Sequence, residues 1–293
     1  MSSKAEAQAM TLVTKDNTLP AHLQGQVKSA KIGNVDRSDM IIPRVKLLQA
    51  VSPEIENGVE GAKAGEFWHT TAGISLGAAV RVVPVILRKT YVLWAPRNDD
   101  RGILARATDG KRWDTPGLSF EVKPKWAPKG ITYELGELVS ETIGLGRFGT
   151  SNPEDPNSAP AASLNYEIMF LFPDHEDLGA ALVLNTRSAV RAGKDLISKV
   201  DMRPADHYAQ EYIMKSIKQK KDDQTFYNYQ YVSNGYADEG IYDVAKTAFE
   251  YYNTNSGFSA SDESDDTDTG ERKQTQEGRD APIGGDTSNA KGF

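Results

Sequence analysis

Tyr227, Tyr229 and Tyr231 stand two residues apart in the stretch QTFYNYQYV. In a β-strand, residues two apart share a face, so the three rings would form one row. Lys215, Lys218, Lys220 and Lys221 come just before them, and Asp222 and Asp223 supply turn chemistry in between. Aromatic rings stack unpaired bases at about 1–3 kcal/mol each, and neighbouring cations neutralise phosphates. The same row has a second reading, a sheet face packed under a helix with its lysines simply solvated.

Cations and rings interleave elsewhere too. Arg88 and Lys89 precede Tyr91 and Trp94, with Arg97 and Arg101 following. Arg187, Arg191, Lys194 and Lys199 punctuate a helical stretch, where Arg191 and Lys194 share a face. Lys111, Arg112 and Trp113, then Lys123, Lys125, Trp126 and Lys129, repeat the theme. Stacking requires unpaired bases, so the combination favours single strands over duplex. Taken singly, Trp68 and Trp94 read as core residues; the argument rests on recurrence. The candidate stacking residues are Tyr227, Tyr229 and Tyr231, then Tyr91 and Trp94. The candidate phosphate contacts are Lys215, Lys218, Lys220, Lys221, Arg88, Lys89, Arg187 and Arg191.

Signals for catalysis are weak. Gly144–Gly149 fits G-x-G-x-x-G, yet a proline-rich linker follows it where a dinucleotide site needs a helix. The four histidines, His22, His69, His175 and His207, show no metal-binding spacing, and His175-Glu176-Asp177 reads as a solvated turn. No nucleophile elbow occurs. With no cysteine, disulfides, thiolate chemistry and cysteine-ligated metals are excluded. The expectation is a non-enzyme with no cofactor and no metal.

The 293 residues are 39% hydrophobic, enough for a core with polar tails. No apolar run approaches the ~20 residues of a membrane helix. The first residues lack the apolar stretch of a signal peptide. A cytoplasmic location is expected. The net charge of −7 is unevenly spread: from Thr254 to Phe293 nine acids face four bases, leaving the body almost neutral.

Residues 1–38 read as a flexible arm. Met40–Val51 reads as an extended piece or a helix starting near Pro43, and Gly65–Thr70 as a short strand. Ala79–Trp94 has the β-branched and aromatic signature of a long strand, which Pro84 should break, bulge or place at an edge. Seven prolines between Pro96 and Pro160 mark an irregular insertion, about 97–162, with hairpins around Ile103–Trp113 and Ser119–Trp126. Strands follow at Leu164–Phe172 and Ala180–Asn185. A helix capped by Ser188 then runs Ala189–Val200. Strands at Tyr208–Gln219 and Gln224–Ser233 precede a helix at Ile241–Tyr252. This order matches a mostly β, α+β domain over 39–253, an OB-like five-stranded barrel with a long inserted loop region. Residues 254–293 are expected to form a disordered acidic tail. Asp262, Glu263, Asp265, Asp266, Asp268 and Phe293 are its candidate partner-binding residues.

The runs Ile42–Gln49, Gly65–Thr70, Tyr91–Arg97 and Gly102–Ala107 resemble a family of tailed-bacteriophage early-region proteins. Some of its members are labelled single-stranded DNA-binding proteins. The likeness covers about residues 40–235. The layout, with acidic tail and terminal Phe, is similar to that of the replicative single-strand binders of T7-like phages. The resemblance implies a phage protein working in the host cytoplasm. It would coat single-stranded DNA in replication or recombination, and its tail would meet replication or recombination proteins. A homo-oligomer fits this expectation and a membrane does not. The alternative is a phage structural or adaptor protein whose rings bury in protein contacts.

Overall fold

The computed structural model describes residues 42–95, 102–122, 129–151, 155, 158–221 and 224–254. The chain opens with β1 (Val45–Leu47), the short helix α1 (Pro53–Glu56), β2 (Phe67–His69) and β3 (Ile74–Ser75). The long β4 (Ala79–Trp94) follows, then β5 (Ile103–Ala107), β6 (Ser119–Val122) and β7 (Ile131–Glu134). Next come β8 (Ala162–Leu171), β9 (Ala180–Thr186), α2 (Val190–Asp201), β10 (Gln210–Lys221), β11 (Gln224–Tyr236) and α3 (Glu239–Thr254).

β4 is the spine. Its β-branched residues suit a strand buried on both faces, and Val82, Val83 and Val85 are fully excluded from solvent. One edge pairs antiparallel with β8, from Val83↔Leu171 to Leu93↔Ala162. The other edge is shared: Ala79–Val82 pair with β10 and Tyr91–Trp94 with β5. The β8 ladder shifts register between Pro84 and Ile86, the bulge expected where proline lacks an N–H. Between β10 and β5, His207 Nε2 lies 2.8 Å from the Val85 carbonyl and occupies part of the unpaired edge.

Antiparallel β9 extends β8, and β11 extends β10, giving the order β11-β10-β4-β8-β9 with β5 attached to β4. No ladder joins β9 to β11 among the described residues, so the sheet is open and the expected barrel is not closed by strand pairing. The segment around β1 touches both end strands instead. Leu182 N–H donates to the Pro43 carbonyl at 2.8 Å, and Arg44 forms a single parallel bridge to Leu182. Pro43 offers a carbonyl but no N–H, which limits that contact. On the other side, the Gln49 side chain donates to the Tyr227 carbonyl at 3.0 Å and accepts from its N–H at 2.8 Å. Of the two readings of Met40–Val51, the extended one forms, as β1, and the first helix comes later, at Pro53.

One face of the sheet packs against β1, β2 and α2, in a core that includes Phe67, Phe170, Val183, Leu196 and Met214. The opposite face, with Val85, Ile86, Met169 and Leu182, is covered by Ala248, Phe249 and Tyr252 of α3. The insertion has its own core of Trp113, Phe120, Leu135 and Leu145, continuous with Leu93 of β4. Its pairing differs from the expected hairpins: β5 pairs with β4, and β6 pairs with β7. Local sequence could not show that, because β4 supplies a partner edge that outcompetes a local return.

α2 lies within a residue of expectation, but Ala189 occupies the cap position and Ser188 makes no side-chain cap. Gly193 serves packing: a β-carbon there would stand 2.9 Å from Tyr166, so glycine lets α2 press on β8 despite its cost of about 1 kcal/mol in a helix. Among the described residues no helix is long and apolar enough to cross a membrane.

Candidate nucleic-acid interface

The tyrosine row forms, and it faces inward. Tyr231 is fully buried, with its ring 5.8 Å from Phe170 and 6.4 Å from Tyr229. Tyr229 in turn lies 5.8 Å from Phe67, which extends a column of rings through the core. The Tyr231 hydroxyl lies 3.1 Å from Asn185 Oδ1, to which it can donate, and 3.0 Å from Asn185 Nδ2, from which it can accept, both groups buried. The Tyr229 hydroxyl accepts from Leu47 N–H at 3.2 Å. Burial pushes the Tyr229 phenol up to about 12 and drives that of Tyr231 higher still. Tyr227 is half-buried over Gly65, where a β-carbon would stand 2.5 Å from the ring. Tyr231, fully buried between Phe170 and Tyr229, presents no ring to a base, and Tyr229 is partly buried beside Phe67. The period-two pattern located the row, and which side β1 and β2 cover was decided by non-local packing.

The second-choice rings are more accessible. Tyr91 is partly exposed, with Lys89 Nζ 5.1 Å from its ring centre. A hydrogen bond to Tyr91 holds the Lys89 pKa above its ordinary value, against the effect of burial. Trp94 is partly exposed and donates from Nε1 to Ser163 Oγ at 3.1 Å. Trp68 is core, as expected, and so is Trp113. Arg88 is half-buried. It stands across the ladder from buried Glu167, and burial lowers its pKa while Glu167 opposes that shift.

Lys89, Arg187, Arg191, Lys215, Lys218 and Lys220 are exposed. Lys218 stands across from Tyr227 and Lys220 across from Thr225, so both project from the tyrosine side beyond the core. Lys215 stands across from Gln230 on the other face. Lys221 closes the β10 ladder opposite Gln224. On the face opposite Lys218 and Lys220, Asn228 Nδ2 donates to the Ser188 carbonyl at 3.1 Å. Arg187 precedes Ser188 in the chain. Arg187 adopts φ 51°, a left-handed conformation that costs a non-glycine residue about 1–2 kcal/mol. Arg191 follows on the first turn of α2.

Three residues with structural roles were given no such part by sequence. Lys199 bonds the Tyr231 carbonyl and Asp195, each at 2.6 Å. Arg203 bonds the Gly235 carbonyl at 2.6 Å, contacts Ser233 Oγ, and stacks over Tyr212 and Tyr236. Gln49 completes the set along the β11 edge. A polar Gln49 inside an apolar run was the available signal for its role.

The Gly144–Gly149 loop ends a 3-10 helix, and Thr150 Oγ1 donates to the Leu145 and Arg147 carbonyls at 3.0 and 2.7 Å. His69 is buried and accepts from Ala72 N–H at 3.1 Å; burial is the main cause of its lowered pKa. Among the described residues no group of three or more histidine, aspartate or glutamate side chains is placed to hold a metal. The expected arm at 1–38, the tail with Asp262, Glu263, Asp265, Asp266, Asp268 and Phe293, and Arg97, Arg101, Lys123, Lys125 and Trp126 lie outside the described residues.

A family model described as Pam3 phage gp34-like protein matches residues 13–257. The chain belongs to this family of phage proteins. No curated protein and no solved structure matches it.

Proposed function

We propose that this chain is a non-catalytic single-stranded DNA-binding protein that coats exposed strands in phage replication or recombination, built on an OB-like core. The observation that carries the reading is the pair of exposed lysines, Lys218 and Lys220, that share the tyrosine face toward the open end of the β10–β11 hairpin. Arg187 and Arg191 are also exposed, near where the Ser188 carbonyl meets Asn228 on the other face of the hairpin. The strand order supports the core assignment. A long β4 pairs with β8, β9 follows, α2 comes next, and β10 returns to β4 with β11 beside it, which is the order of a five-stranded Greek key. Membership of a phage family supports the setting. In this reading the strand binds mainly through phosphates, with Lys89 and Tyr91 as a secondary patch.

The test is anisotropy of labelled oligo-dT across a salt series, with a duplex of equal length for comparison. Binding of the single strand, weakening steeply with salt, is expected. Lys218→Ala combined with Arg191→Ala should flatten the log–log salt slope by about 1.4, since each single-strand phosphate contact contributes about 0.7. No binding at low salt would overturn the reading. A second reading, a phage structural or adaptor protein, draws on the burial of the tyrosine row and on exposed apolar residues of α3. It gains if the oligonucleotide is ignored at every salt concentration.

A further inference from the structure

Within the single-strand reading, on which this inference rests, we propose that Tyr227 is the platform on which a base stacks. Gly65 positions its ring, and Lys218 and Lys220 hold the phosphates beside it. Of the tyrosine row, Tyr231 is fully buried, and the hydroxyls of Tyr231 and Tyr229 are engaged by Asn185 and by Leu47 N–H. Tyr227 is the member nearest the hairpin turn and is partly exposed. Its hydroxyl has no hydrogen-bond partner among the described residues.

The ring is held before any strand arrives. The Gln49 side chain accepts from the Tyr227 N–H at 2.8 Å and donates to its carbonyl at 3.0 Å, which fixes the main chain. The ring lies on Gly65, where a β-carbon would stand 2.5 Å from it, and Gly65 adopts φ 87°, a left-handed conformation that favours glycine. Gly65 N–H donates to the Leu48 carbonyl at 2.7 Å, and Leu48 N–H to the Glu66 carbonyl at 3.0 Å, so the floor under the ring is itself tied down. Glu66 is matched by Lys63 at 3.9 Å and accepts from Ser75 Oγ at 2.6 Å. A ring fixed in this way loses little freedom on binding. Lys218 stands directly across the ladder from Tyr227, about 5 Å away between β-carbons, and Lys220 follows on the same face across from Thr225. The two exposed lysines are about 6.8 Å apart along β10, comparable to the step between successive phosphates of an extended single strand. One ring beside two such cations accepts any base, because every base has a π-face.

The test compares the affinity of the full chain for oligo-dT and for an abasic deoxyribose-phosphate oligomer of equal length, read by anisotropy at one low salt concentration. The wild type should prefer oligo-dT by about fivefold or more. Tyr227→Ala should erase most of that preference by lowering affinity for oligo-dT alone, and Tyr227→Phe should rescue it, since the hydroxyl has no partner to lose. Gly65→Ala, which pushes the ring off its floor, should reduce the preference as well. If Tyr227→Ala fails to fold by circular dichroism, Tyr227→Leu removes the π-face and keeps apolar bulk. Equal loss on both oligomers would mark a purely structural ring and overturn the proposal. So would a preference that survives removal of the ring, or a wild type that binds both oligomers alike; in each of these cases the single-strand reading stands. A wild type that binds neither oligomer overturns that reading and this inference with it.

Discussion

Tyr231→Phe should remove the reciprocal bond to Asn185 and leave a buried amide short of a partner, at a cost of about 1–3 kcal/mol. Tyr231→Ala should cost about 3–5 kcal/mol through the cavity as well. Urea denaturation measures both. Unchanged stability in the alanine variant would contradict the core role assigned to the ring. Two titrations carry opposite signs. The Tyr229 phenol has a folded pKa of about 12 against an ordinary 10, so its contribution to stability is complete below pH 10 and is lost as pH rises toward 12. His207 and His69 are held below 6.5, mainly by burial. The unfolded chain therefore takes up protons that the folded chain resists, and stability falls as pH drops through 6.5. His207→Gln keeps a donor for the Val85 carbonyl without the charge, so its stability should depend less steeply on pH between 7 and 5 than that of the wild type.

The β11 edge shows how elements hold this sheet without a closing ladder. Gln49, Lys199 and Arg203 bond its main chain at Tyr227, Tyr231 and Gly235. Side chains thus take the place of a neighbouring strand and protect an edge that could otherwise pair with another chain. Gln49→Ala should cost about 1–3 kcal/mol for its two bonds and speed amide exchange at Tyr227, read by hydrogen–deuterium exchange. If the Tyr227 amide exchanges no faster, the β1 segment does not guard the edge. Gly193→Ala should destabilise by about 1–3 kcal/mol through overpacking against Tyr166, whereas an alanine at an open helix position would stabilise.

On the scale of the whole molecule, the insertion packs as a satellite of β4, with Trp113 buried in its own cluster. Trp113→Ala should cost about 3–5 kcal/mol of stability yet leave oligo-dT affinity intact wherever the protein remains folded. A parallel loss of affinity would place the strand on the insertion and away from the β10–β11 hairpin. The charge distribution belongs to this scale as well. The body is close to neutral despite the chain's −7, so exposed cations can act locally even though the sum is acidic.

Local chemistry in the sequence determined much of this protein. The β-branched run of β4, the bulge at Pro84, α2 after β9, the β10–β11 hairpin and α3 were all legible, because propensity and periodicity are properties of neighbouring residues. The absence of cysteine chemistry and of a metal-binding spacing was legible for the same reason. Tertiary structure alone decided which face of the tyrosine row lies inward, because β1 and β2 reach it from some 180 residues earlier in the chain. It also decided that Arg88 meets Glu167, that β5 chooses β4, and that a proline-interrupted segment stands between β9 and β11. Each of those outcomes depends on a partner distant in sequence, and no local pattern records the identity of such a partner.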